Sequence, residues 1–250
     1  MPTGVDPQIG ESAARNSRFA DSFSRGRILA ETVGVSTAMT VVDVGAFTGE
    51  TAAWFAGLFP QATIWAIEPF EDSFTQLAAG AGPRTRCWNF AAADYDGSAT
   101  LFVNAIAHTN SLYAINPDSQ DSVDISRRRA EGGGSVPDYT ATSATVPAKR
   151  LDTFAAEVGI RTIDLLKIDV QGAEVAVLRG SQGLLPHTRA ILIEVSLYDY
   201  YTSSSSIGQI EELISPHGFA LWSITDISNN PMNGRTDWVE LLFRNDRGGE

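Results

Sequence analysis

A chain of 250 residues, 43% of them apolar, is long enough for one α/β domain with a substantial core and too short for two comfortable ones. Its net charge of −12 excludes nucleic acid as the main partner, because phosphate recognition needs a basic footprint; the acidity otherwise serves solubility. The single cysteine, Cys87, leaves no internal disulfide to form, and no apolar run approaches the roughly 20 residues of a bilayer span.

No signal-peptide pattern opens the chain, so no membrane association is expected and a cytoplasmic location is the default. Residues 1–11 read as a loose arm. From Glu11 to Gly34, Phe19, Phe23, Ile28, Leu29 and Val33 recur near helical spacing, with Gly26 as a break. Residues 1–34 are therefore expected to form an arm and a helical cap, and residues 35–250 one domain.

Val41-Val42-Asp43-Val44 is a short β-branched run suited to a strand buried on both faces of a parallel sheet. It ends in the glycine turn Gly45-Ala46-Phe47-Thr48-Gly49, and Glu50 to Leu58 follows as a helix. Such a turn lets backbone N–H groups approach a ligand at the carboxyl end of a strand, where open α/β sheets bind. Ala62–Ile67 is a second strand, ending in Glu68-Pro69; Phe70–Ala79 is a helix and Thr85–Ala91 a third strand. Asp94–Gly97 turns into a further strand at Ala99–Val103, expected to be antiparallel.

From Asn104 to Lys149 the composition changes to Asn, Ser, Asp, Gly and Pro, with Arg127-Arg128-Arg129 and Gly132-Gly133-Gly134. His108-Thr109-Asn110-Ser111-Leu112 is expected to be ordered near the site, residues 113–146 to form an inserted mobile loop, and Ala144–Val146 a return strand. The three arginines are most simply a solvated face. Leu151–Val158 then reads as a helix, Ile163–Asp169 as a strand, Ala173–Gly180 as a helix and Ala190–Val195 as a strand. Ile207–Pro216 is a helix, and Phe219–Ile224 with Trp238–Phe243 a closing hairpin. The alternation predicts an α/β fold: a Rossmann-like, doubly wound, mostly parallel seven-stranded sheet with an antiparallel last strand.

Four carboxylates, Asp43, Glu68, Asp169 and Glu194, end successive apolar strands and are expected to converge on one crevice. Any one of them is equally well explained as a cap for the next helix N-terminus; four together point to a site, because desolvated carboxylates are costly. Glu68 stands 25 positions after Asp43, close to the spacing of an acid that binds a ribose diol. The loop lacks the Gly-x-Gly-x-x-Gly triplet of a dinucleotide site, and Asp43 would repel pyrophosphate. An ammonium- and sulfonium-bearing S-adenosylmethionine is favoured, with NAD as the second reading.

These residues carry a family resemblance. Asp43-Val44-Gly45-Ala46, Ile67-Glu68-Pro69, Leu151-Asp152, the block from Asp164 to Glu174, Leu178-Arg179-Gly180 and Ile191–Val195 are similar to the FkbM family of S-adenosylmethionine-dependent methyltransferases. The resemblance implies a class I methyltransferase fold and methyl transfer to a hydroxyl of a sugar, polyketide or other natural product. It implies that Gly45, Gly49 and the backbone between them, including Ala46 and Phe47, hold the amino-acid part of the cofactor. Glu68, followed by Pro69, would hold the ribose, and Ala92, Ala93 and Asp94 would sit beside the adenine. Asp169 would lie next to the sulfonium; Asp43 and Ser111 complete the cofactor set. The family commonly has Glu where this chain has Gln171, so a role needing charge there is not expected, and the insertion is longer than the family's.

A hydroxyl acceptor needs a general base. Asp169 is the first candidate, Glu194 the second, and His108 the histidine expected to matter. Lys167 stands on the same strand face as Asp169 and is expected to pair with it or with Glu174. Asp169 plus Glu194 is too little for an oxygen-ligand metal site, so no metal is expected. His187 and His217 read as helix-end residues, Cys87 as a buried strand residue, and Tyr198, Tyr200 and Tyr201 as an acceptor-pocket lining. Three functions remain: an O-methyltransferase acting on a small hydroxylated molecule, an NAD-dependent oxidoreductase, and a non-catalytic S-adenosylmethionine-binding protein. A homodimer is compatible with each.

Overall fold

The computed structural model describes residue 17 and residues 24–119, 140–231 and 233–246. Phe19, Phe23, the arginine triplet and Gly132–Gly134 lie outside the described residues. Strand β1 (Thr40–Val44) stands in the interior of the main sheet, parallel to β2 (Thr63–Ile67) on one side and β7 (Ile163–Ile168) on the other. Beyond β2 lies β3 (Thr85–Trp88), and beyond β7 lies β8 (Thr188–Ser196), both parallel. The seven-stranded order is β3-β2-β1-β7-β8-β10-β9, with β10 (Thr236–Asn245) antiparallel to both β8 and β9 (Phe219–Asn229). This is the predicted sheet with its antiparallel last strand.

The continuous apolar runs of β1, β7 and β8 follow from burial on both faces. Val42 and Val44 point into a core layer with Leu151 and Phe154 of α4 (Leu151–Val158) and Val177 and Leu178 of α5 (Glu174–Arg179). Val41 points the other way, into a layer with Leu29 and Val33 of α1 (Arg25–Val33) and Phe55 of α2 (Glu50–Leu58). Helix α3 (Glu71–Gly80) covers the same side through Leu77. Helix α6 (Ile207–Ile214) begins in a capping box: the Ser206 side chain accepts from the Gln209 N–H, and the Gln209 side chain accepts in return from the Ser206 N–H. No helix among the described residues is long and apolar enough to cross a membrane.

Three expectations need correction. Gly26 is not itself a break: it lies in the first turn of α1, which starts at Arg25 after the N-cap Ser24. The antiparallel strand predicted at Ala99–Val103 is part of a second, three-stranded sheet in the order β4-β6-β5, made of β4 (Ala91–Ala92), β5 (Gly97–Asn104) and β6 (Thr140–Lys149). The return strand is therefore ten residues long, and residues 140–146 do not belong to the inserted loop. Its small, polar sequence, interrupted by Pro147, hides it; β6 has register partners on both sides only at Ala148, so proline is tolerated. The loop's first residues are also anchored, by a bridge from Ile115 to Tyr201, while Ser111 just before them bridges to Phe102.

Candidate active site

The Gly45–Gly49 turn follows β1 over the carboxyl edge of the sheet. The Gly45 and Ala46 N–H groups each donate to the Ile67 carbonyl at 3.0 Å. Gly45 has φ +80°, and a Cβ there would fall 1.8 Å from the Asp169 carbonyl oxygen, so no side chain fits. Phe47 also takes a positive φ, 49°, which costs a non-glycine residue about 1–3 kcal/mol unless its surroundings hold it. Glu68 holds it: Oε2 accepts from the Phe47 N–H and Oε1 from the Phe70 N–H, both at 2.9 Å. Burial pushes the Glu68 carboxyl above the usual range, against the opposing pull of these two amides.

In the parallel register Asp43 stands opposite Lys167. Asp43 is completely buried, and neither carboxylate oxygen has a hydrogen-bond partner among the described residues. Its counter-charge is the Lys167 Nζ, 3.6 Å from Oδ1 and 3.1 Å from Asp169 Oδ2. Burial raises the Asp43 pKa despite this cation. Burial also works against the charged lysine, but the carboxylates of Asp169 and Asp43 outweigh it and raise the Lys167 pKa. Lys167 is thus a fixed buried cation between two acids.

The turn after β7 carries Asp169 and Gln171. The Gln171 Nε2 donates to Asp169 Oδ1 at 2.7 Å and to Glu194 Oε1 at 3.2 Å, and its Oε1 accepts from the Tyr201 hydroxyl at 2.9 Å. Its carbonyl accepts from Ser111 Oγ at 2.6 Å, joining the second sheet's loop to the sheet edge. Burial, with the Asp169 charge beside it, pushes Glu194 up to about 8. Burial likewise pushes Glu174 up to about 7, although its Oε1 accepts from the Gly172 N–H at 2.8 Å.

These elements enclose a cavity of about 210 Å3. Of the predicted residues, Gly45, Ala46, Phe47, Glu68, Pro69, Ala92, Ser111, Asp169 and His108 line it. Asp43, Gly49, Ala93, Asp94 and Glu194 do not, and each has a physical reason. Asp43 lies beneath the turn it precedes, facing Lys167. Gly49 leads into α2 with φ +95° against Leu77. Ala93 is buried with its N–H bonded to the Lys149 carbonyl, and Asp94 is exposed beyond it. Glu194 touches Asp169 only through Gln171. The three tyrosines do not line the cavity either: Tyr198 donates to Asp237, and Tyr201 is buried behind Gln171. His108 is exposed on the rim, its ring edge-on to Phe47 with centroids 6.4 Å apart.

Two residues of the wall had no separate expectation. Gln171 stood out only as a departure from the family, and Asn110 only as a neighbour of His108. The Asn110 Oδ1 accepts from the Asn104 N–H at 2.8 Å, while its buried Nδ2 has no partner among the described residues. A glycine-only cradle faced by an unused amide donor suits a ligand with a carboxylate or other acceptor.

Residues 43–221 match the family model described as Methyltransferase FkbM domain. The chain belongs to the FkbM methyltransferase family. S-adenosylmethionine is its methyl donor, and the NAD reading falls with that assignment. The 2-O-methyltransferase NoeI of Sinorhizobium fredii is 27% identical over 182 residues, covering 70% of either chain. The 31-O-demethyl-FK506 methyltransferase FkbM of Streptomyces tacrolimicus is 29% identical over 268 residues, covering 99% of this chain and 96% of that one. Among solved structures, Aeropyrum pernix fibrillarin with natively bound S-adenosyl-L-methionine gives a TM-score of 0.44 at 12% identity, over 87% of this chain and 76% of that one.

In this FkbM-family protein the raised Glu194 has a consequence for stability. A carboxyl whose folded pKa, about 8, exceeds the ordinary 4.5 binds its proton more tightly when folded. Its contribution is fully present below pH 4.5 and is lost as pH rises through about 8. Glu194→Gln is expected to flatten the fall of melting temperature with pH across that window. An unchanged slope would assign the pH dependence to other groups, Glu174 first.

Proposed function

We propose that the protein methylates a hydroxyl oxygen on a small molecule such as a sugar, a polyketide or another natural product. The observation that carries this reading is Asp169. It lines the cavity, and its two oxygens each accept one hydrogen bond from the protein, from Gln171 and Lys167. A carboxylate has about four acceptor positions, so capacity remains to take the proton of an alcohol.

The proposed cofactor set fits the cavity's chemistry. Backbone of Gly45–Phe47 and the unused amide of Asn110 would receive the amino-acid end, and Glu68 with Pro69 the ribose side. When bound, S-adenosylmethionine supplies a methyl group made electrophilic by its positive sulfur. The chain's own residues then have to align the acceptor and remove its proton. Asp169 receives that proton at a carboxylate oxygen, while Lys167 holds the carboxylate in place and balances its charge. His108, on the exposed rim, is the second proton acceptor within reach of an incoming substrate. The O-methyltransferase names of the relatives from Sinorhizobium fredii and Streptomyces tacrolimicus support oxygen as the acceptor atom.

The test is methyl transfer from radiolabelled S-adenosylmethionine to a panel of sugars, polyketide alcohols, amines and thiols. Label in an alkali-stable ether of a hydroxylated acceptor is expected. Transfer confined to amines or thiols would overturn the oxygen assignment, and binding without transfer would favour a non-catalytic role.

A further inference from the structure

We propose that Gln171 is the positioning residue of this site: its side-chain amide, oriented by Tyr201, fixes the Asp169 carboxylate toward the cavity and holds Glu194 apart from it. The inference rests on the methyl-transfer reading for its catalytic consequence, but its structural content stands on the network alone.

Every hydrogen-bonding position needed for this task is used in one direction. The two Nε2 hydrogens meet Asp169 Oδ1 and Glu194 Oε1, and the Tyr201 hydroxyl meets Oε1. A flipped amide would aim its oxygen at the Asp169 carboxylate and lose the 2.7 Å hydrogen bond to it. Tyr201 is buried, and its one hydroxyl hydrogen has the Gln171 Oε1 at 2.9 Å and the Thr109 carbonyl at 3.1 Å as acceptors. The backbone is committed as well. Gln171 has φ +56°, which a non-glycine residue adopts at a cost, and the Ser111 hydroxyl on its carbonyl helps hold it there. Such strain persists where surroundings over-determine it, commonly at functional sites.

The residue type also matters. Glutamate at this position would set a carboxylate against Asp169, where a donor is required; asparagine is one methylene too short to span the same gap. The charged groups that bear on Glu194 are Asp169 from the turn after β7, Lys167 from β7 and Glu174 from α5. Glu240 is its register partner on β10, and that carboxylate is bound by Arg25. The Gln171 amide favours the charged form of Glu194, so removing it raises the midpoint at which Glu194 takes up a proton.

The experiment compares Gln171→Leu, Gln171→Glu and Tyr201→Phe. In the cofactor-free protein, carboxyl-carbon NMR follows the Glu194 titration. The midpoint is expected to rise in Gln171→Leu, further in Gln171→Glu because a like charge is added, and least in Tyr201→Phe. In turnover, Gln171→Leu is expected to lower kcat about tenfold to a hundredfold through misalignment, with the acceptor KM and the calorimetric affinity for S-adenosylmethionine held within about twofold. Lost turnover with an unmoved Glu194 midpoint would make Gln171 a merely structural residue and overturn the proposal, as would a moved midpoint with wild-type kcat. If Gln171→Leu does not fold, Tyr201→Phe carries the same two readouts. Absence of transfer by the wild-type enzyme would instead overturn the functional reading, and the NMR titration would still decide the role of Gln171.

Discussion

Lys167→Met is expected to destabilise the protein by about 3–5 kcal/mol, the usual cost of leaving a buried charge without its partner. Methionine has a similar length and suits the apolar surroundings, so the loss reports charge rather than volume. Lys167 is 5% exposed and Asp43 not at all, and no other hydrogen bond among the described residues satisfies the Asp43 carboxylate. Without the lysine, Asp43 must be neutralised or solvated, and both are costly beneath the Gly45–Gly49 turn. Two signatures separate this account from simple loss of packing. The deficit should shrink as pH falls, because protonation removes the uncompensated charge, already favoured by burial. Adding Asp43→Asn should restore much of the stability. Urea denaturation of both variants between acid and neutral pH measures this, and a loss of under about 1 kcal/mol in Lys167→Met would refute the buried-charge account.

Asp169→Asn is expected to lower kcat by about 10²- to 10⁴-fold, the range for removing a general base. The side chain keeps its size and can still accept from Gln171 or Lys167 with its one remaining oxygen, so the fold should survive. A melting temperature close to that of the wild type, together with single-turnover rates, separates chemistry from stability. Glu194→Gln should lose far less activity, because Glu194 meets the cavity only through Gln171. Wild-type turnover in Asp169→Asn would remove Asp169 from the base role and leave His108 as the group to examine.

Where burial dictated residue type, the chain was legible. Val41–Val44, Ile163–Ile168 and Ala190–Val195 are largely buried and therefore mostly apolar, with Asp43, Asp164, Lys167 and Glu194 the exceptions, which located the central strands and their parallel order. The carboxyl ends of β1, β2 and β7 delivered the turn, Glu68 and Asp169 to one cavity. Strand β6 escaped recognition outside Ala144–Val146 because its partner sheet is small and its alternation uses Ala and Thr rather than large apolar residues. The partner of Asp43 was hidden for a different reason. The position of Asp43 at a strand end suggested a ligand contact, whereas the register set it across from Lys167, a relation between positions 124 residues apart. Gln171 was hidden because its role depends on Tyr201 and Ser111, which reach it from two separate loops. A local motif carries no sign of partners so distant.

The most direct test of the whole account is a crystal structure of this protein with S-adenosylhomocysteine. Density is predicted in the cavity between the Gly45–Phe47 backbone and Asn110–Ser111, with the ribose toward Glu68 and the sulfur toward Asp169. Density elsewhere on the protein, or a sulfur turned away from Asp169, would contradict it.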